Sequence, residues 1–491
     1  MKENFKKYTK NILKIFPFFL IMLSVVLSTP IRNLDELWNY NFANNIYNGL
    51  IPYKDFNMLQ MPLLPFIVSV IFKLTTNELI VSKIVTAILF SVFIYLIYKI
   101  FELFEEKEII KVIKTLFVSI LSIYQFSLDY NWLSLIFVLL LIYIEIKEFQ
   151  KEDNKITYNP KKDIFIGFLA CLPLTLKQTS GMLVCFIALF NKFLLAKNKK
   201  DFTIALKSFI YRAIGMIIPA ITLLLYLICN NTFSDFINYT LLGIKEFNNH
   251  ISYFNLFKFN LIGVFSIIMP LFIPFFIYKT IKTKDTKKYF ILVYGLTTLI
   301  ILYPIADMNH FIIAMCIFIV AFINDFSQLL SKIKIKTKIK NMFQFFILVI
   351  FILYLLLMTT VNFYNYFTTP HVFHEHYKHL TITNNLNESL TEVSNYIKNS
   401  KKDVKILDAS AAFYMIPINK YNKHYDLLLK GNLGLNGTEK LISEIKESQN
   451  TQYLIMKNEK GLNYQTPLEI INFAKENKTK VGEINKFDIY E

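Results

Sequence analysis

Asp35 and Glu36 stand side by side a few residues beyond the first long apolar segment, opening a polar and aromatic stretch that runs through Tyr53, Asp55, Gln60, Pro62 and Pro65. A carboxylate placed there can take the proton from a hydroxyl as that oxygen attacks an electrophilic carbon. Adjacent residues on a helix point about 100° apart, so one acid can face a reaction centre while its neighbour bonds elsewhere. Three further groups sit at segment ends: Asp129, Tyr130 and Asn131; Lys177 and Gln178; and Asp307, Asn309 and His310. One carboxylate suffices for an inverting displacement when the leaving group is already a stable phosphate. Such a reaction also needs cationic or hydrogen-bonding support for that phosphate, a part suited to Lys177, His310 and Arg32.

Each group also has a plainer reading. Asp35 and Glu36 suit the first turn of a helix, whose dipole favours acids. Lys177 fits a cation snorkelling at a span end. Asp307 and His310, three apart, fit a local cap, and Asp129 to Asn131 fit ordinary turn chemistry. Their common depth favours a shared, lined cavity, because ionisable groups at membrane level are costly unless they face a cavity or one another. His371, Glu375 and His379 would share one face if their segment were helical, a weak metal-ligand pattern with no evident supporting shell.

The elements that must position these residues are membrane helices. The 491 residues are 54% hydrophobic and 16% aromatic, with a mean hydropathy of +0.41, values that exclude a soluble globule. Apolar blocks of helix-crossing length predict a mainly α, polytopic bundle of about eleven spans. These cover 12–28, 79–100, 112–128, 132–146, 164–176, 182–195, 209–229, 259–278, 290–303, 311–330 and 343–364. Alternate connections hold 30 and 6 Lys and Arg residues. By the positive-inside rule the N-terminus is cytoplasmic and the tail after Tyr364 extracytoplasmic. The net charge of +17 therefore describes orientation in a plasma membrane and implies no nucleic-acid partner. The first span has no small-residue cleavage site after it and reads as a membrane helix. All four cysteines fall in spans, leaving no disulfide framework outside.

The outer loop 31–78 reads as two helices on the membrane surface. Asn33 can cap the first, whose apolar stripe includes Leu37, Trp38, Phe42 and Ile46. The connection 230–258 is polar and aromatic, with Asn248 and Asn249 near its centre, and is a candidate lid by its length and not by its composition. Residues 1–369 thus form the membrane domain and 370–491 a small extracytoplasmic α/β domain, with helices over 388–399 and 438–446, strands at 404–408 and 453–456, and a last edge strand at 484–490.

The pattern Asp35-Glu36, Gly49, Pro52-Tyr53, Asp55-Phe56, Gln60 and Pro62, with Lys177-Gln178 and Pro304, Asp307 and His310, resembles the bacterial multi-span GT-C glycosyltransferases. These are related to the protein mannosyltransferase and aminoarabinose transferase group, glycosyltransferase family 39-like. The resemblance implies a GT-C-like bundle and an inverting transferase that uses a polyprenyl-phosphate-linked sugar. Asp35 would be the base with Glu36 as second acid; Lys177, Gln178, His310 and Arg32 would serve the donor phosphate. Tyr53, Asp55, Gln60, Asp129, Tyr130, Asn131 and Asp307 would line the cavity. It implies no required cofactor, a divalent ion being compatible but not indicated. The partners are the lipid-linked donor, the bilayer and a cell-envelope acceptor: glycan, lipid or protein. A lipid-linked saccharide flippase or transporter, or a multi-span polysaccharide polymerase, is the alternative. Transporters usually show paired repeats and charges deep in the spans, whereas this chain shows no obvious halves and has its ionisable groups at one face, with Lys83, inside an apolar run, the main exception.

Overall fold

The computed structural model describes residues 2–30, 34–105, 107–152, 155–246, 250–334, 336–372, 374–420, 423–463 and 465–491, with side chains from Lys14 onward. The chain begins with α1 (Lys2–Ser28), α2 (Leu34–Tyr47), α3 (Leu63–Leu74), α4 (Leu79–Glu102), α5 (Glu108–Ser122), α6 (Tyr130–Lys151) and α7 (Pro160–Cys171). It continues with α8 (Gln178–Leu195), α9 (Lys199–Cys229), α10 (Phe233–Ile237), α11 (Leu261–Thr283), α12 (Thr286–Thr298), α13 (Met308–Lys332) and α14 (Thr337–Thr368). Each segment read as a span therefore contains a helix, although those at 112–128 and 164–176 leave it after Ser122 and Cys171. Six of them, α4, α8, α9, α11, α13 and α14, are long and apolar enough to cross a membrane, which makes the chain multi-pass. The helices α5, α7 and α12 run 15, 12 and 13 residues, short of about 30 Å at about 1.5 Å per residue. Among the described residues, length and composition thus support six of the eleven expected crossings.

By their internal contacts the residues form two compact units, one of 1–26, 84–222 and 250–364, the other of 27–83, 223–249 and 365–491. The first outer loop and most of the second long connection group with the C-terminal residues.

In the first unit α13 runs through the core, buried without interruption from Phe311 to Ala321. Rings of Phe90, Phe93, Phe126 and Trp132 pack edge and tilted beside it in the same apolar cluster. The helices α7 and α9 touch backbone to backbone, because a Cβ on Gly167 would meet the carbonyl of Arg212 and one on Gly215 that of Ile164. That approach brings Arg212, 1% exposed, into a closed polar network. Its guanidinium grips Glu145 with two bonds of 2.8 and 2.9 Å and Asp163 at 3.0 Å. Lys192 reaches Asp163 at 3.1 Å, while Asn191 and Tyr294 donate to Glu145. A buried charge is tolerated when it is paired and hydrogen-bonded in this way.

In the second unit α2 packs on α3, and the C-terminal residues add α15 (Asn384–Asn399), α16 (Ala411–Met415), α17 (Gly437–Glu447) and α18 (Leu468–Asn477). A sheet of β1 (Asp403–Ile406), β2 (Thr451–Met456), β3 (Lys480–Ile484) and β4 (Phe487–Tyr490) has the order β1-β2-β4-β3. The β1–β2 pair is parallel and the others antiparallel. The expected edge strand at 484–490 is corrected here. Asn485, at φ +48°, turns the chain between two strands, so β4 is internal and β3 forms the edge. The surface-helix reading of α2 changes as well, since Glu36, Asn39, Asn41, Asn44 and Asn45 are buried along with Leu37, Phe42 and Ala43. Asn248 and Asn249 lie outside the described residues. The part of their connection before them is packed in place: Phe236 and Tyr239 join a cluster with Leu427 and Leu429, and Asn238 accepts from the amide of Leu435 at 3.0 Å.

Candidate functional site

The first-loop acids lie in the opening turn of α2, where the exposed amides of a helix favour negative charge. Glu36 is buried, and its Oε2 stands 3.4 Å from Nζ of Lys83, which is 1% exposed. Lys83 also donates to the carbonyl of Thr29 at 3.4 Å. Asp35, one position away and so on another face, is partly exposed. Its carbonyl starts a relay that stiffens the loop. Asn39 donates to that carbonyl at 2.8 Å, Gln60 donates to Asn39 at 2.8 Å, and the Tyr53 hydroxyl donates to the Gln60 carbonyl at 2.9 Å. Tyr53 itself is 2% exposed, packed edge-on against Phe236, and burial pushes its phenol up. Asp55 accepts from the Ile51 amide at 2.7 Å and closes the turn. Tyr53, Asp55 and Gln60 therefore build the loop that carries Asp35.

Groups far along the chain hold the same helix and the loop that follows it. The Trp38 indole donates to the Ala409 carbonyl at 3.0 Å, Asn41 reaches Asp426 at 3.4 Å, and the Leu59 amide donates to Asn432 at 2.8 Å. Tyr40 donates to the Asn77 carbonyl at 2.6 Å and lies 3.2 Å from Nδ1 of His376.

In the other unit three expected connections meet around Asn131. Asp129 caps α6 by accepting from the Asn131 amide. Lys177, which precedes α8, donates to Oδ1 of Asn131 at 2.9 Å, with its ammonium 5.6 Å from the Tyr130 ring centroid. Trp132 donates to Asn309 at 3.1 Å, joining the 307–310 turn. Asp307 caps α13, accepting from the His310 amide at 2.8 Å with Nδ1 of the ring 2.9 Å away. The local-cap reading of that pair is what the geometry shows. Burial pushes the Asp129 carboxyl up, against the pull of the Asn131 amide, His310 and Lys177. Burial also lowers the Lys177 ammonium to about 8, with Asp129 opposing. Burial acts against Asp307, but the His310 contacts outweigh it and hold that carboxyl below its ordinary value. Lys177 and Gln178 stand at the N-terminal end of the 18-residue α8, a backbone arrangement that suits phosphate oxygens.

Arg32 and the capping Asn33 lie outside the described residues. The metal pattern does not assemble on one helical face. His371 bridges Thr381 in extended pairing, Glu375 starts a short 3-10 turn, and His379 has φ +65°. Among the described residues no three His, Cys, Asp or Glu side chains gather as metal ligands. The sequence reading missed the tie between Trp132 and Asn309 and the pairing of Lys83 with Glu36. Lys83 did carry a signal, as a lone cation inside an apolar run.

No family model matches the chain, and no curated protein does. Among solved structures it resembles the oligosaccharyltransferase of Archaeoglobus fulgidus. The apo form gives a TM-score of 0.52 at 11% identity, covering 92% of this chain and 70% of that one. The form tethered through a disulfide to an acceptor peptide containing the NVT sequon gives 0.50 at 12%, covering 92% and 69%. The complex with zinc and sulfate gives 0.47 at 10%, covering 89% and 68%. The chain has the GT-C-like fold of that membrane transferase.

Proposed function

We propose that this protein is an extracytoplasmic inverting glycosyltransferase that moves a sugar from a polyprenyl-phosphate donor to a hydroxyl of a cell-envelope acceptor. The observation that carries this reading is the divided acid pair on a GT-C-like fold: Glu36 is buried against Lys83, while Asp35, on the next position, stays partly exposed. The Asp35 carboxylate takes the acceptor hydroxyl proton as that oxygen bonds to the anomeric carbon. The bond from that carbon to the phosphate oxygen breaks, and its electron pair leaves with polyprenyl phosphate. The sequence resemblance assigns the developing phosphate charge to Lys177, Gln178 and His310. Asp129, Asn131 and Tyr130 hold Lys177 for that task. The similar oligosaccharyltransferase was captured with an acceptor peptide, and for this chain the acceptor belongs to the envelope.

The test is the purified protein in lipid nanodiscs, assayed against a panel of polyprenyl-phosphate hexoses and pentoses with envelope glycan from a deletion strain as acceptor. Asp35→Asn is expected to lower transfer by about 10²- to 10⁴-fold with an unchanged melting profile. Full transfer by that variant would overturn the base assignment. Mass spectrometry of the deletion strain's envelope names the sugar by its loss.

A further inference from the structure

We propose that Lys83 is a positioning residue for the transfer reaction: by pairing with Glu36 it fixes the first turn of α2 and so presents Asp35. This rests on the assignment of Asp35 as base.

Lys83 sits in the first turns of α4, a helix long and apolar enough to cross a membrane, and is 1% exposed. A cation so placed needs a specific partner. The structure gives it two, 3.4 Å from Glu36 Oε2 and 3.4 Å from the Thr29 carbonyl. The Thr29 carbonyl follows the last residue of α1, so it belongs to the end where helix carbonyls lack partners and a cation is favoured. Lys83 therefore ties the exit of α1 to the entry of α2 from a third helix.

The rotation of α2 about its axis decides which acid points where. With Glu36 held at Lys83, Asp35 is turned about 100° away. The Asn39 to Gln60 relay begins at the Asp35 carbonyl and holds the same turn from its backbone side. Without Lys83 the buried Glu36 carboxylate loses the ammonium 3.4 Å from it, and the first turn of α2 loses the contact that fixes it. Removal of both charges takes away the buried carboxylate along with the ammonium.

Four proteins are compared in nanodiscs: wild type, Lys83→Met, Lys83→Arg and the double variant Glu36→Leu/Lys83→Met. Two readouts are taken: transfer kinetics, and amide hydrogen exchange of residues 37–47 without substrate. Lys83→Met is expected to lower kcat about 30-fold or more, with donor KM within about three-fold of wild type, and to speed exchange along α2. Lys83→Arg should keep kcat within about five-fold, and the double variant should regain at least about ten-fold over Lys83→Met. The proposal is overturned if Lys83→Met raises donor KM at unchanged kcat, because Lys83 would then bind the phosphate itself. It is equally overturned if the double variant is no better than the single one, or if α2 exchange is unaltered in Lys83→Met. Faster exchange in Lys83→Met together with full transfer by Asp35→Asn would instead leave the anchoring role standing and remove the base assignment.

Discussion

At the scale of single residues the chemistry turns on which charges are committed and which are available. Glu36 is committed to Lys83, and Asp307 to its helix cap. Lys177 donates to a neutral amide, Asn131, with the Asp129 carboxyl as the nearby opposite charge. Burial lowers its ammonium to about 8, well below an ordinary lysine. The sign follows directly: the charged form is present below pH 8 and lost above it. Donor KM should therefore rise roughly ten-fold between pH 7 and pH 9, and Lys177→Arg, which stays charged throughout, should hold KM level across that range. The stability trend runs the other way. Between about 8 and about 10.5 only the unfolded chain still binds that proton, so the folded state gains stability as the pH rises. A wild-type KM that stays flat to pH 9 would remove Lys177 from the donor site. At this scale the sequence was informative about residue type and poor about pairing. Asp35, Lys177 and His310 stood out by position, but the partner of Glu36 lies 47 residues away and nothing local announces it.

The helices that carry these residues differ in how they are held, and that difference sets what a substitution does. The α7–α9 contact depends on two missing side chains, because Cβ atoms at Gly167 and Gly215 would collide with opposing backbone. Gly167→Ala should push the helices apart, draw Arg212 off Glu145 and Asp163, and cost about 3 kcal/mol or more from overpacking and a broken buried ion pair. The check is a thermal melt in detergent, where a shift under about one degree would show that the contact yields. Helix α2 is held differently, through polar bonds to Ala409 and Asp426. Its sequence, with Asn39, Asn41, Asn44 and Asn45 between apolar residues, read as a surface helix because its partners lie hundreds of positions away. The hairpin of β3 and β4 was missed for a local reason: Lys480–Ile484 is exposed along most of its length, so no alternation marks it as a strand. Apolar periodicity located a helix in each expected span, and among the described residues six of these are long and apolar enough to cross a membrane.

For the whole molecule the strongest constraint is the uneven distribution of basic side chains, 30 on one set of connections and 6 on the other. A reaction fed by a lipid-linked donor outside the cytoplasm requires the sparse set, which includes Lys177, to face outward, as the positive-inside rule demands. Two exposed positions report on it: Lys336, between α13 and α14, and Glu439, in α17. The four native cysteines are free and are first replaced, giving a background into which Lys336→Cys or Glu439→Cys is introduced. In intact cells a membrane-impermeant maleimide should label Glu439→Cys and leave Lys336→Cys untouched until the membrane is permeabilised. Labelling in the opposite order would place Lys177, Asp307 and His310 on the cytoplasmic side. Nucleotide sugars would then be the accessible donors, and the polyprenyl-phosphate reading would fall even if Asp35 proved essential.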